Sequence, residues 1–362
     1  MSFLLLISLP LLNWGGWILK FKRENENRIF NDSLRINLNQ LDKFPAAFES
    51  YYNDNFPFRA PLLKFYHLIK FKIFKVSPNP EELLIGKDGW YFFGGKEQRI
   101  FEGRENFNSS ELELFASEWQ SRMKYLQSKN IKAYWLICPI KQSVYADKLP
   151  DYIKKPFREK RTDKLKKYLN AQVPELRIID PTQHLISLKE KEKLYFKLDN
   201  HWNLKAGWEI TNYLLHEFKK EFPLIEEAFL NDFTWKIEKK QDGIHKATLG
   251  LNELFENVEV IDKNPNKAAE IKKYGFVSPS DFPYDWKYEL RYQNSKNGKY
   301  RILIIRDSFG DAIVPFLKEP FQESVFIFDN WKYALNKEII EKVNPDIILY
   351  LTLETHLDNL IK

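Results

Sequence analysis

The sequence predicts an α/β protein with a mostly parallel central sheet covered by helices on both faces, preceded by an N-terminal membrane helix. Three observations carry this reading. From about residue 111, helical patterns alternate with short, nearly continuous apolar runs, the signature of strands buried on both faces. The chain has 362 residues, 44% hydrophobic and 16% aromatic, enough to bury a full core in one large domain or two small ones. The run "FLLLISLPLLNWGGWIL", Phe3 to Leu19, is free of charge and reaches the lower end of a membrane span.

Residues 1–20 are therefore expected to be a membrane or signal anchor with Trp14 and Trp17 near an interface. A cleavable signal peptide would want a basic start and a small-residue exit, and this run has neither. Lys20, Lys22 and Arg23 follow, and the positive-inside rule applied to them favours a cytoplasmic downstream chain. Residues 21–80 read as a helical lead-in broken at Pro45, Pro57 and Pro61. In "EELLIGKDGWYFFGG" the turn residues Gly86 to Gly89 lie between apolar runs and predict a hairpin.

The main domain, 81–362, alternates regularly. Helices are expected at "ELELFASEWQSRMKYLQSKN", "TDKLKKYLNAQ", "KAGWEITNYLLHEFKKEF", around "DAIVPFLKE" and at "NKEIIEKV". Strands are expected at "KAYWLICP", "LRIID", "RILIIRDS", "SVFIFD" and "DIILYLTL". Between about 222 and 298 the pattern lapses into Trp/Tyr/Lys-rich segments without a period, read as an insertion.

Composition narrows the function. The single cysteine, Cys138, rules out an intramolecular disulfide and a multi-cysteine zinc site, and its apolar surroundings read as a buried inert thiol. The net charge of +6 is spread along the chain, so nucleic acid is not an expected partner. No cofactor or metal is expected.

In a parallel sheet, ligands gather at the carboxyl ends of strands, and "RILIIRDSFGDA" puts Asp307 and Ser308 at such an end. Ser308 at a strand-to-helix turn can present its hydroxyl as a nucleophile, with backbone N–H groups of the turn for an oxyanion. From this segment alone a plain helix N-cap, which both residue types favour, is the stronger reading. A serine also needs a base and an orienting acceptor. "LDNHW" offers both, because residues i and i+2 of an extended segment project to one side, setting Asp199 beside His201. The other five histidines lie in helical patterns, lack a spaced acid, or sit near the chain end. An Asp-x-His pair alone is explained as well by a metal pair or a capped turn.

Taken together, "LDNHWNLKAG" and "IIRDSFGD" resemble the DHHW and alginate O-acetyltransferase family of the AlgJ and AlgX type. So do "ENR", "YYNDNFPFR", "LIGKDGWYFF" and "CPIKQSVYADKLP", in the same order. The resemblance implies an SGNH-hydrolase-like three-layer sandwich, with Ser308 carrying acetyl, His201 as base and Asp199 as its orienter. It implies an O-acetyltransferase acting on an exported polysaccharide, held at the inner membrane with its catalytic domain outside the cytoplasm. A multispanning membrane-bound O-acyltransferase would be the acetyl source. A carbohydrate acetylesterase on the same triad, or an idle polysaccharide-binding subunit of an export complex, are the alternatives. Arg306, Lys141, Tyr145 and Trp202 are the candidates for substrate or oxyanion contacts. Arg306 stands where a Gly-Asp-Ser motif has glycine, and Trp202 is expected mainly to wedge His201 in place. Thr355 stands where the family's C-terminal segment carries arginine after the glutamate, so Glu354 is given no role.

Overall fold

A computed structural model describes residues 38–55, 59–154, 159–226, 232–241, 255–264, 268–280, 282–294 and 298–362. The expected anchor over 1–20 lies outside them; among the described residues no helix is long and apolar enough to cross a membrane. The chain divides into two compact units, Met1–Pro78 with Ala247–Leu251, and Asn79–Lys246 with Asn252–Lys362. In the first, the described residues form a 3₁₀ turn (Leu38–Lys43), helices α1 (Phe44–Asn55) and α2 (Arg59–Leu68), and a π turn (Ile69–Ile73).

The second unit begins with the antiparallel pair β1 (Leu83–Ile85) and β2 (Tyr91–Phe93), joined through Lys87–Gly89. Asp88 and Gly89 take left-handed φ values of 54° and 75° in this turn, which is why the hairpin closes at a Lys-Asp-Gly sequence. The central sheet has seven strands: β3 (Lys132–Cys138), β4 (Arg177–Ile179), β7 (Ala269–Glu270), β8 (Glu289–Gln293), β9 (Arg301–Arg306), β10 (Glu323–Phe328) and β11 (Ile347–Leu353). Their order is β4-β3-β11-β9-β10-β8-β7. The first five are mutually parallel, whereas β8 and β7 add antiparallel, so the sheet is mixed. These two strands come from the aperiodic stretch read as an insertion. Only Glu289 of β8 is fully buried, so its residues never show the continuous apolar run of the central strands. The same stretch supplies a separate antiparallel ribbon, β5 (Thr234–Gln241) with β6 (Phe255–Lys263).

Helices cover both faces, and the alternation of strand side chains assigns each its partner. Tyr134, Leu136, Ile302, Ile304, Leu349 and Leu351 face helix α5 (Leu204–Lys219) through Ala206, Ile210, Leu214 and Phe218. Trp135, Ile137, Leu303, Ile305, Ile348 and Tyr350 face α3 (Ser109–Ser128) and α4 (Arg161–Gln172) through Phe115, Trp119, Leu126, Leu165 and Leu169. Each fully buried side chain of this size stabilises by about 1.5–3 kcal/mol, so the two cores hold the carboxyl edge of the sheet rigidly. Helix α3 starts at a capping box between Asn108 and Glu111, satisfying two of its orphan donors.

Candidate active site

Two loops meet at the carboxyl edge. The first, Leu194 to Asn203, is a tight hairpin: Tyr195 pairs with Trp202 as an isolated antiparallel bridge, Phe196 N donates to His201 O (3.2 Å), and Asn203 N donates to Leu194 O (2.9 Å). A hairpin packed into the protein must satisfy its backbone, and side chains do it here. Glu256 of β6 accepts from Lys197 N (2.8 Å) and Leu198 N (3.0 Å). Lys141, fully buried, donates its ammonium to Tyr91 O, Lys197 O (2.9 Å) and Asp199 O (3.1 Å). The Asn203 side chain then caps α5 by accepting from Ala206 N at 3.1 Å.

The second loop follows β9. Asp307 is the N-cap of a 3₁₀ turn, Ser308–Ala312, its Oδ1 accepting from Phe309 N at 2.9 Å. Its Oδ2 accepts from Leu353 N and the Tyr333 hydroxyl, both at 2.7 Å. Burial alone would raise the Asp307 carboxyl, but His356, Tyr333 and the Leu353 amide outweigh it and hold the group below its ordinary value. With Asp307 taking the capping role, the Ser308 hydroxyl is left for other use. Gly207 of α5 lies so close that a Cβ would stand 1.9 Å from Ala312 O, so only glycine lets the helix meet this turn.

The loops bring Ser308, His201 and Asp199 together. His201 Nε2 lies 2.8 Å from Ser308 Oγ, and Nδ1 lies 2.7 Å from Asp199 Oδ1. The same carboxylate oxygen accepts from the His201 amide at 2.9 Å, fixing ring and backbone at once. Burial pushes the Asp199 carboxyl up, but the ring and amide of His201 and the charge of Lys240 prevail, keeping it below its ordinary value. An ionised Asp199 selects the tautomer with the proton on Nδ1, which leaves Nε2 as an acceptor for the serine proton.

The remaining expected site residues act around this trio. Trp202 is buried and donates Nε1–H to Phe309 O at 2.7 Å, tying the histidine hairpin to the serine turn. Arg306, fully buried, donates from Nη1 to Asp307 O (3.0 Å) and Asp311 Oδ1 (2.7 Å), bracing the serine turn from beneath. Lys141 holds the histidine hairpin by its carbonyls. Tyr145, stacked on Trp90 at 4.1 Å, accepts from Leu194 N at 3.0 Å, and burial pushes its hydroxyl up to about 12. Of the three amides from Ser308 to Gly310, those of Phe309 and Gly310 are spent on Asp307. Of these three, Ser308 N is the amide not engaged by Asp307.

Sequence reasoning missed Phe196, Lys240 and Asp311, which line the cavity of about 300 Å³ over Ser308 and His201. Lys240 comes from β5 and lies 3.7 Å over the Phe196 ring. One of three lysines in "KIEKKQDG", Lys240 carries no signal that would single it out.

Residues 83–274 match the family described as SGNH hydrolase-like domain, acetyltransferase AlgX, over more than half of the chain. The chain belongs to this family. Acetyl transfer is thus its family-level chemistry, and the SGNH-hydrolase-like α/β fold is that of the structure above. Among solved structures, PatB1 of Bacillus cereus with a sulfonyl adduct matches with a TM-score of 0.55 and 18% identity, over 77% of this chain and 96% of that one. A DHHW family protein from Eubacterium siraeum matches with a TM-score of 0.51 and 13% identity, over 78% of this chain and 94% of that one. Likeness at such identities speaks for the fold. Among curated proteins none matches in sequence.

Proposed function

We propose that this acetyltransferase-family chain is an O-acetyltransferase that esterifies hydroxyls of an exported polysaccharide through an acetyl-serine on Ser308. The observation that carries the reading is the continuous relay from Asp199 through His201 to Ser308 Oγ, at 2.7 and 2.8 Å. Ser308 Oγ attacks the carbonyl carbon of an acetyl donor while Nε2 takes its proton. The tetrahedral intermediate collapses, and the leaving group departs with that proton. An acceptor hydroxyl then attacks the acetyl-serine with His201 again as base, and the proton returns to Ser308. Asp199 stabilises the imidazolium in both halves. The donor side is a membrane-bound O-acyltransferase, and the chain is held at the inner membrane by residues 1–20 with this domain outside the cytoplasm.

His201 keeps 27% of its side chain exposed, which favours water as an acceptor when no glycan is bound. Hydrolysis of p-nitrophenyl acetate is therefore the simplest assay. Ser308→Ala is expected to lower it by about 10⁴-fold. Phenylmethylsulfonyl fluoride should add to Ser308, read by peptide mass spectrometry. Unchanged hydrolysis in Ser308→Ala would refute the reading, and acetylated oligosaccharide product separates transferase from esterase.

A further inference from the structure

Most large aromatic side chains of the second unit are buried, but Trp286 and Tyr284 stand 64% and 50% exposed, side by side, with ring centroids 5.5 Å apart at 80°. Scattered apolar residues on a surface need no explanation, whereas an adjacent pair of rings beside a catalytic cavity does. Their place follows from topology. β8 runs antiparallel to β10, with Glu289 opposite Ile327, so the helical turn Asp285–Tyr288 that precedes β8 emerges at the carboxyl edge. Ser308 follows β9 at that same edge. Two strand spacings separate the positions, roughly 10 Å across the sheet. This is the reach of a disaccharide. Lys287, next to Trp286, closes the gap by pairing its ammonium with Asp311 Oδ2 at 2.9 Å, and Asp311 lines the Ser308 cavity.

The pair is also held firmly. Tyr284 meets Phe282 edge-on at 6.1 Å, and Phe282 is wedged against Phe328 (5.1 Å) and Trp331 (5.4 Å). Lys273 donates to Trp286 O at 2.9 Å. A fixed, exposed ring pair suits a ligand with a flat face of C–H groups, because the negative face of an aromatic ring attracts such hydrogens. Pyranose rings of a glycan chain have that face. Their hydroxyls, pointing sideways, would run on toward Asp311 and the cavity.

We infer that Trp286 and Tyr284 form a stacking subsite for the acceptor glycan, holding a sugar of the chain away from the one being acetylated. The inference rests on the reading of the acceptor as a glycan.

Native affinity electrophoresis of the full chain through gels containing polymannuronate, xylan or mixed-linkage glucan tests it without requiring catalysis. Wild type should be retarded by at least one polymer, and Tyr284→Ala/Trp286→Ala should lose about 10-fold in affinity for it. Trp286→Phe, which keeps a ring face, should bind within about two-fold of wild type. Hydrolysis of p-nitrophenyl acetate, which needs no glycan, should be unchanged in both variants. Equal retardation of wild type and double variant, no retardation of wild type by any of the three polymers, or a parallel loss of ester hydrolysis would overturn the subsite. Loss of the serine chemistry itself would show only in the ester assay, so the two readings fail separately.

Discussion

Glu97 lies beneath the histidine hairpin, 6% exposed, accepting from Asn200 Nδ2 at 3.3 Å through Oε1, while Oε2 has no partner among the described residues. Burial pushes its carboxyl from 4.5 up to about 7, against the smaller downward pull of Gln142, Asn200 and the charges of Lys141 and His201. A folded value above the unfolded one means that the native state holds the proton more tightly. The contribution to stability is therefore complete below about 4.5 and is lost as pH rises through about 7. At about 1.4 kcal/mol per pH unit, that gap is on the order of 3 kcal/mol. Glu97→Gln keeps the shape and an acceptor for Asn200 but cannot ionise. Urea denaturation of wild type and Glu97→Gln at pH 5 and pH 8 measures the effect. The variant should gain about 2–3 kcal/mol relative to wild type between the two pH values. The same stability difference at both would refute the argument, because the cost would then not be that of a buried charge.

Asp199→Asn should lower ester hydrolysis by about 10³–10⁴-fold with little change in KM, since an uncharged amide neither selects the Nδ1–H tautomer nor stabilises the imidazolium; stopped-flow rates with p-nitrophenyl acetate check this. Trp202→Phe leaves the buried Phe309 carbonyl without its donor and should cost about 1–3 kcal/mol by thermal denaturation, with kcat falling more than KM rises. For Gly207→Ala, the gain in helix propensity of up to about 1 kcal/mol competes with a 1.9 Å clash against Ala312 O. Because that atom is backbone, overpacking wins, and a net loss of about 1–3 kcal/mol with reduced hydrolysis is expected.

The central strands were legible because burial on both faces demands nothing but apolar side chains, and "RILIIR" or "DIILYLTL" can be little else. Asp199, His201 and Ser308 were legible as a set because each alone admits a duller reading, and the family's order joins them across 107 residues. β7 and β8 were not, since half-exposed strands at the end of a sheet mix polar and apolar side chains without a clean period. Lys141 looked like a site lysine because it follows a strand end. What the sequence does not contain is the direction of its ammonium, which three carbonyls from two distant segments capture. Arg306 is similar: its position beside Asp307 was visible, but not that its guanidinium turns toward Asp311 instead of the cavity.

The strand order has a consequence for how the chain is made. β11 is the last of the sheet's strands to leave the ribosome, yet it lies between β3 and β9 and pairs with both. Until it arrives, β4-β3 and β9-β10-β8-β7 are two half-sheets with no seam between them, and Asp307 lacks the Leu353 amide. Pairing over such long separations comes late and slowly. A nascent chain therefore lacks the amide that anchors Asp307, and a stop codon between Ser308 and Ile347 would remove the keystone of the whole sheet while leaving Asp199, His201 and Ser308 in the chain.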